Sequence, residues 1–343
     1  MALPWLELLL FPGFVFILGV TFLFEHITAR VYALFEFRID SPLFIPVTHH
    51  FKFWLKRKPR TSMKKDFLQA FLLVVLMSLP LTASLVLPIN LIGSLPKTAH
   101  GFDGLAPATE GVVGILSFEG DLFFLLSISL LFSIIALLTQ WLNSSKSSTD
   151  SLKSIILFLI FDIPLFLALG CLALVEHSTS LSMIAEDIRL RIYFNPLGGI
   201  FWIPLGLIVA VMSLSFKFDQ PYFDRLDTLS SFGRTSPTQK DWRFSIWNIS
   251  LRMMEMVLTG AIVSVFLGGA NLPIPLLEGY ETLTYTLNFI SKSAVVLIVV
   301  AIIRSLLPRM RLDQKMNFCW KFLTPGALVS MLVSGVSIAI LKN

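Results

Sequence analysis

The sequence predicts an all-α polytopic membrane protein of about eight transmembrane helices, on three observations. Of its 343 residues, 55% are hydrophobic and only 14% charged, and the mean hydropathy is +0.79. That composition lies far outside soluble domains and requires lipid as the solvent. Apolar runs recur at the length of about 20 residues that a helix needs to cross the hydrocarbon core, where every backbone polar group must be satisfied within its own segment. The charges lie mostly between these runs, concentrated in alternate connections.

Eight runs qualify, at about 5–27, 67–93, 121–142, 153–175, 197–216, 246–268, 287–306 and 319–341, and together they read as a single membrane domain over 1–343. The first, within MALPWLELLLFPGFVFILGV, lacks the basic start and small-residue cleavage site of a signal peptide and reads as a retained span. Of the 27 Lys and Arg, 21 fall in or within three residues of connections one, three, five and seven and three in connections two, four and six. Arg252 and Lys292 lie inside spans, and Lys342 is at the C-terminus. Basic loops stay on the cytoplasmic side, so both termini are expected outside a plasma (cell) membrane. The long cytoplasmic connections 28–66 and 217–245 are then where a soluble partner would dock.

Within the first of these, PLFIPVTHHFKFWLKRKPR interleaves Phe51, Phe53, Trp54 and Leu55 with Lys52, Lys56, Arg57 and Lys58. This pattern reads either as a basic collar lying along the lipid interface or as a docking surface. The connection 94–120 is rich in Gly and Pro and reads as an irregular outer loop. No internal repeat is visible, which argues against a transporter built from duplicated halves.

Cys171 and Cys319 fall in separate apolar runs without metal-ligand spacing, and His100 and His177 lack ligand-spaced partners. No cofactor or metal is therefore expected on this chain, nor catalysis by the chain alone. Any redox centre would belong to a partner. The composition points to a lipid membrane as its surroundings, with no nucleic-acid partner.

Near the C-terminus, Lys292, Arg304, Leu307, Pro308, Arg309, Arg311, Asp313, Gln314, Met316, Trp320, Lys321 and Pro325 follow one another at fixed spacing. This resembles the pattern K…R-x-x-LPR-x-R-x-DQ-x-M…WK…P of subunit 1 of NADH-quinone oxidoreductase and its bacterial counterpart, the heel of the complex I membrane arm. Leu34 to Arg38 (LFEFR) is similar to the family's LFQNR, Phe218 to Pro221 to its FDQP, and Phe266 to Gly269 to its LFxGG. Lys153 stands where the family has Arg, nine residues before Asp162, which replaces the Glu of SYE-x-P-L. The family's eight spans equal the number of apolar runs. It also contains the corresponding subunits of membrane-bound hydrogenases, formate hydrogenlyases and archaeal sulfur reductases.

The resemblance implies a non-catalytic subunit of an ion-translocating oxidoreductase. It would assemble with a hydrogenase-like large subunit and an Fe–S small subunit on the cytoplasmic side, and with antiporter-like membrane subunits. Fe–S clusters, or these together with NiFe, would sit on the partners. The interface to that redox arm would involve Arg30, Glu36, Arg38, His49, Asp219, Asp224, Asp227, Arg304, Arg309, Arg311 and Asp313.

The departures from the family pattern concern acids. After FDQP the family has EAEAELAxG, where this chain has Tyr222, Phe223, Asp224, Arg225, Leu226 and Asp227. The family's EYSG becomes Thr238, Gln239, Lys240 and Asp241 after an insertion, its membrane Glu falls on Leu251 with Glu255 one turn later, and its Glu-Arg-Lys becomes Thr28, Ala29 and Arg30. The Asp of its LAD-x-x-K becomes His49. A chain without these acids is expected to work without quinone, as in the hydrogenase-like or archaeal sulfur-reductase forms.

Ionisable groups inside spans are costly unless paired or hydrated, so they are candidate ion-coupling residues: Asp162, Glu255, Lys292, Lys153 and Arg252. Asp162 sits mid-span before Pro164, and its neighbours ILFLIF and PLFLALG offer no polar partner in sequence, so it reads as a proton relay or as a solvated or paired structural acid. Arg252 and Glu255, spaced i, i+3, can pair on one helix face. Lys292 is placed about a turn inside the outer interface, either snorkelling or joined to a buried network. Glu25, His26 and Arg30 read as a solvated helix end or as groups of a cavity beneath the redox partner, and Glu119 and Asp121 as acids favouring a helix N-terminus. A secondary transporter and an inert anchor remain the competing readings, and H+ versus Na+ is open.

Overall fold

The computed structural model describes residues 14–35, 37, 48, 63–88, 120–143, 148–176, 178–185, 188, 202–218, 242–270, 281–307, 310 and 312–341. The principal elements among them are all helical: α1 (Phe14–Phe35), α2 (Met63–Ser84), α3 (Asp121–Asn143), α4 (Ser148–Glu176), α5 (Trp202–Phe218), α6 (Trp242–Phe266), α7 (Glu281–Leu306), α8 (Leu312–Phe318), a π turn (Cys319–Leu323) and α9 (Thr324–Leu341). Among the described residues, six helical stretches are long and apolar enough to cross a membrane: Phe14–Phe35, Phe67–Ser84, Asp121–Thr139, Ser245–Phe266, Thr284–Leu306 and Asp313–Val336. Two shorter apolar stretches, Leu159–Leu174 and Pro204–Phe218, fall in the fourth and fifth predicted spans. The protein is an all-α polytopic membrane protein.

Helix α6 is the axis of the bundle. Its apolar window is 94% buried, against 28% to 56% in the other five long stretches, and it packs against α1, α2, α4, α5 and α7. Small residues permit this closeness: a Cβ built on Gly260 would meet Leu87 Cδ1 at 2.9 Å, and one on Gly206 of α5 would meet Phe266 Cε1 at 2.8 Å. The outward faces of α2, α3 and α7 carry exposed Phe71, Phe123, Leu131 and Val295, as lipid contact requires.

Several helix limits differ from the hydropathy reading, and for α5 and α6 buried charge is the reason. Helix α1 runs to Phe35, so Glu25 is mid-helix, and α7 begins at Glu281, which puts Lys292 three turns in. Helix α5 extends through Lys217 and α6 starts at Trp242, taking in two cations that the sequence places in the fifth connection. Hydropathy excludes a charge from a span unless its partner is known. Here the partners are supplied by other helices. At the far end of α6, Gly268 and Gly269 adopt φ of 69° and 59°, and the amides of Leu267 and Gly269 both donate to Val263 O. Such a left-handed turn suits glycine and ends the helix sharply.

Candidate functional site: two buried charge clusters

The first cluster joins three helices. Ser129 and Ser133, four residues apart, share one face of α3. Asp162 comes from α4 and Lys217 from the last turn of α5. Lys217 Nζ lies 2.5 Å from Asp162 Oδ1 and donates to Ser129 Oγ at 2.9 Å. The Ser133 hydroxyl, with one proton to give, lies within hydrogen-bond reach of both Asp162 Oδ2 at 3.0 Å and Ser129 O at 2.9 Å, while Ser129 Oγ lies 3.3 Å from Oδ1. Both charged residues are fully buried. Beside the pair, the rings of Phe161 and Phe216 stack with centroids 5.5 Å apart, and Phe216 packs on Phe318 at 5.1 Å. Each charge thus has an aromatic as its chain neighbour, and the rings clamp α4 to α5.

This corrects the expectation that Asp162 is buried without a polar partner. Its three partners are 29, 33 and 55 residues away in sequence, beyond the reach of any local pattern. Lys217 is likewise not a loop cation. A signal for the serines was present: two hydroxyls at i, i+4 in the otherwise apolar DLFFLLSISLLFSIIALL.

The second cluster centres on Glu255 of α6. Arg252 Nη1 donates to Glu255 Oε2 at 2.8 Å across the predicted i, i+3 spacing. Arg304, from the last turn of α7, brings Nη1 to within 2.6 Å of Oε1. Arg304 also donates from Nε to Ser215 O at 3.0 Å and from Nη2 to Leu214 O at 3.3 Å, holding carbonyls near the end of α5. From α1, Glu25 attracts Arg252 and Tyr32 hydrogen-bonds Arg304. Glu25 is half-buried within α1 on the side of Arg252, not at a helix end. Arg304, assigned by resemblance to the redox-arm interface, lies inside the bundle with its side chain only 4% exposed.

Both clusters meet α5 near its C-terminal end: Lys217 carries one contact, and the carbonyls two and three residues earlier carry the other.

Lys292 is half-buried and donates to Leu267 O at 2.9 Å and Gly269 O at 3.0 Å, a cation at the C-terminal end of α6. The turn that offers these carbonyls is the FLGG segment, Phe266 to Gly269. Arg243 donates to Gln69 of α2, and Asp121 is the buried first residue of α3. Arg30 on α1 and Asp313 in the first turn of α8 are exposed. Lys153 lies on α4, and its side chain is outside the described residues. So are Glu36, Arg38, His49, Asp219, Asp224, Asp227, Arg309 and Arg311.

Charge enclosed within a lipid-spanning bundle defines a polytopic membrane subunit built around buried ion pairs. The family model described as NADH dehydrogenase matches residues 8–335, and the chain belongs to that family, the family of complex I subunit 1. Its relatives include the corresponding NADH-quinone oxidoreductase subunit of Carboxydothermus hydrogenoformans, 25% identical over 214 residues, covering 62% of this chain and 58% of the relative. The same subunit of Chlorobaculum tepidum is 27% identical over 210 residues, covering 57% of each chain. The match thus spans less than two thirds of the length of these relatives. In fold, the chain is similar to a chain of the membrane-bound sulfane sulfur reductase, an archaeal respiratory membrane complex, with a TM-score of 0.70, 19% identity, and coverage of 93% of this chain and 96% of that one. The chain is a complex I-like membrane subunit.

Proposed function

We propose that this chain anchors a soluble redox arm to the membrane arm of an energy-converting complex and couples electron transfer there to translocation of H+ or Na+, without quinone. The observation that carries the reading is the Lys217–Asp162 pair in the bundle interior. Enclosing two charges is expensive, and an anchor could fill the same volume with apolar side chains at equal or better stability. Lys217 of the pair also opens 217–245, the proposed docking connection. A partner pulling on that connection would act on the end of α5, which carries Lys217 and accepts from Arg304. Withdrawing Lys217 would leave a bare carboxylate in lipid, which must take up an ion; its return would expel that ion.

Tyr222, Leu226, Thr238 and His49, standing where the family carries acids, support the quinone-free form and hence a hydrogenase-like or sulfur-reductase-like partner. The charge asymmetry supports a cytoplasmic location for 28–66 and 217–245.

The test is the neutral double variant Asp162→Asn/Lys217→Gln, which keeps size and hydrogen bonding without leaving either charge unpaired. Its complex is expected to assemble and to reduce acceptor in detergent from an artificial donor, while sealed vesicles build a much smaller ion gradient. Vesicles that pump like wild type would make the cluster structural.

A further inference from the structure

We infer that Asp162 and Ser129, with Ser133 orienting them, form a binding site for one Na+ ion, and that the Lys217 ammonium is the tethered cation that competes for it. The atoms that hold Nζ are Asp162 Oδ1 at 2.5 Å and Ser129 Oγ at 2.9 Å. A metal ion replacing the ammonium would meet the same two oxygens. Ser133 braces them from behind, its hydroxyl within reach of both Oδ2 and the backbone oxygen of Ser129. The oxygens come from α3 and α4, whereas the ammonium comes from α5, so it can leave without dismantling the site.

Charge selects the occupant. A single carboxylate is neutralised by one unit of positive charge, which the ammonium now provides, and a divalent ion would leave an uncompensated charge in lipid. The donors are hard oxygens, which exclude soft metals. Asp162, Ser129 and Lys217 are all fully buried, so an ion there would be shielded from bulk solvent.

The inference rests on the reading that Asp162 exchanges an ion, and adds which ion and what displaces it. In the purified complex, Lys217→Ala removes the tether and leaves the carboxylate. In choline chloride the variant should unfold at a lower temperature than wild type. Replacing choline by Na+ at constant ionic strength should raise that temperature, rising with the logarithm of Na+ once the site is saturated. Wild type and Asp162→Asn/Lys217→Ala should not respond, and K+ should act more weakly than Na+ or Li+. Absence of a Na+ response in Lys217→Ala, an equal response in the double variant, or an equal response to K+ overturns the proposal.

If Lys217→Ala does not assemble, Lys217→Gln, which retains a donor to Ser129, is titrated in the same way. Failure of both to assemble even when prepared in high NaCl also overturns it. The two readings fail separately. A Na+ response accompanied by unimpaired pumping in the neutral double variant removes the coupling role and leaves the site. Impaired pumping without a Na+ response leaves coupling and makes the ion a proton.

Discussion

The thiol of Cys319 points at the carbonyl of Ile160, 3.6 Å away, and that carbonyl is the one Pro164 leaves without an amide. In an α-helix the N–H of residue i bonds the carbonyl of residue i−4, so the proline frees Ile160 O two residues before Asp162. The π turn Cys319–Leu323 fills the gap from the other side: its widened backbone presents Cys319 to α4, while Thr324 Oγ1 donates to Cys319 O at 3.0 Å. A proline-interrupted hydrogen-bond ladder and a widened turn thus compensate each other next to the first charge cluster.

Cys319→Ala should therefore leave a carbonyl unsatisfied in an apolar setting and destabilise the chain by about 1 kcal/mol, the low end for a lost buried hydrogen bond because a thiol is a weak donor. Cys319→Ser restores a donor and should recover most of this. Thermal unfolding of the purified complex reads the order. An alanine variant as stable as wild type, or a serine variant no better than alanine, would show that the contact holds nothing.

For the Lys217–Asp162 pair, Lys217→Met should cost about 3–5 kcal/mol, because it strands a buried carboxylate. Adding Asp162→Leu should restore most of that stability, since an apolar pair of similar volume is often as stable as the ion pair it replaces. The check is a double-mutant cycle on thermal unfolding in detergent at low salt. Additive losses would mean that the two side chains do not interact.

The sequence read the membrane class, all-α fold and family well because these rest on summed hydropathy and local motifs. It also read Arg252–Glu255, a pair fixed by one helix turn. It missed Lys217 and Glu25, each of which hydropathy assigns to a solvated end or loop. Only the packing of α5 on α4, and of α1 on α6 and α7, reveals their partners. Lys292 was legible as a charged residue in a span, but not as a cap, because the carbonyls it binds belong to the turn after another helix.

Lys292→Met separates capping from conduction. Losing an ammonium that serves two carbonyls should cost about 2 kcal/mol, within the range for hydrogen bonds to charged groups. It should also loosen the α6–α7 contact, measured as faster amide exchange in 263–270. If stability and exchange are unchanged while the vesicle gradient falls, Lys292 lies on an ion path and its carbonyl contacts are incidental.

The last prediction concerns Arg304, whose planar guanidinium engages Glu255 through Nη1 and the end of α5 through Nε and Nη2. A lysine carries the same charge but lacks the rigid fork of donors needed to hold both at once. Arg304→Lys should therefore keep Glu255 neutralised and lose its hold on Ser215 O and Leu214 O, destabilising the complex by about 1–3 kcal/mol. The complex should still assemble, and its electron transfer to acceptor in detergent should be unchanged, because that chemistry belongs to the partner arm. If the end of α5 carries movement from the docking connection to both clusters, the variant should translocate fewer ions per electron in sealed vesicles. Glu255→Gln is the contrasting variant: it strands Arg252 and Arg304 around a neutral side chain, and its loss should appear first as poor assembly, at a cost of about 3–5 kcal/mol. An unchanged ion-to-electron ratio in Arg304→Lys, together with the expected loss of stability, would make Arg304 a brace between α5 and α6 and remove it from the coupling route.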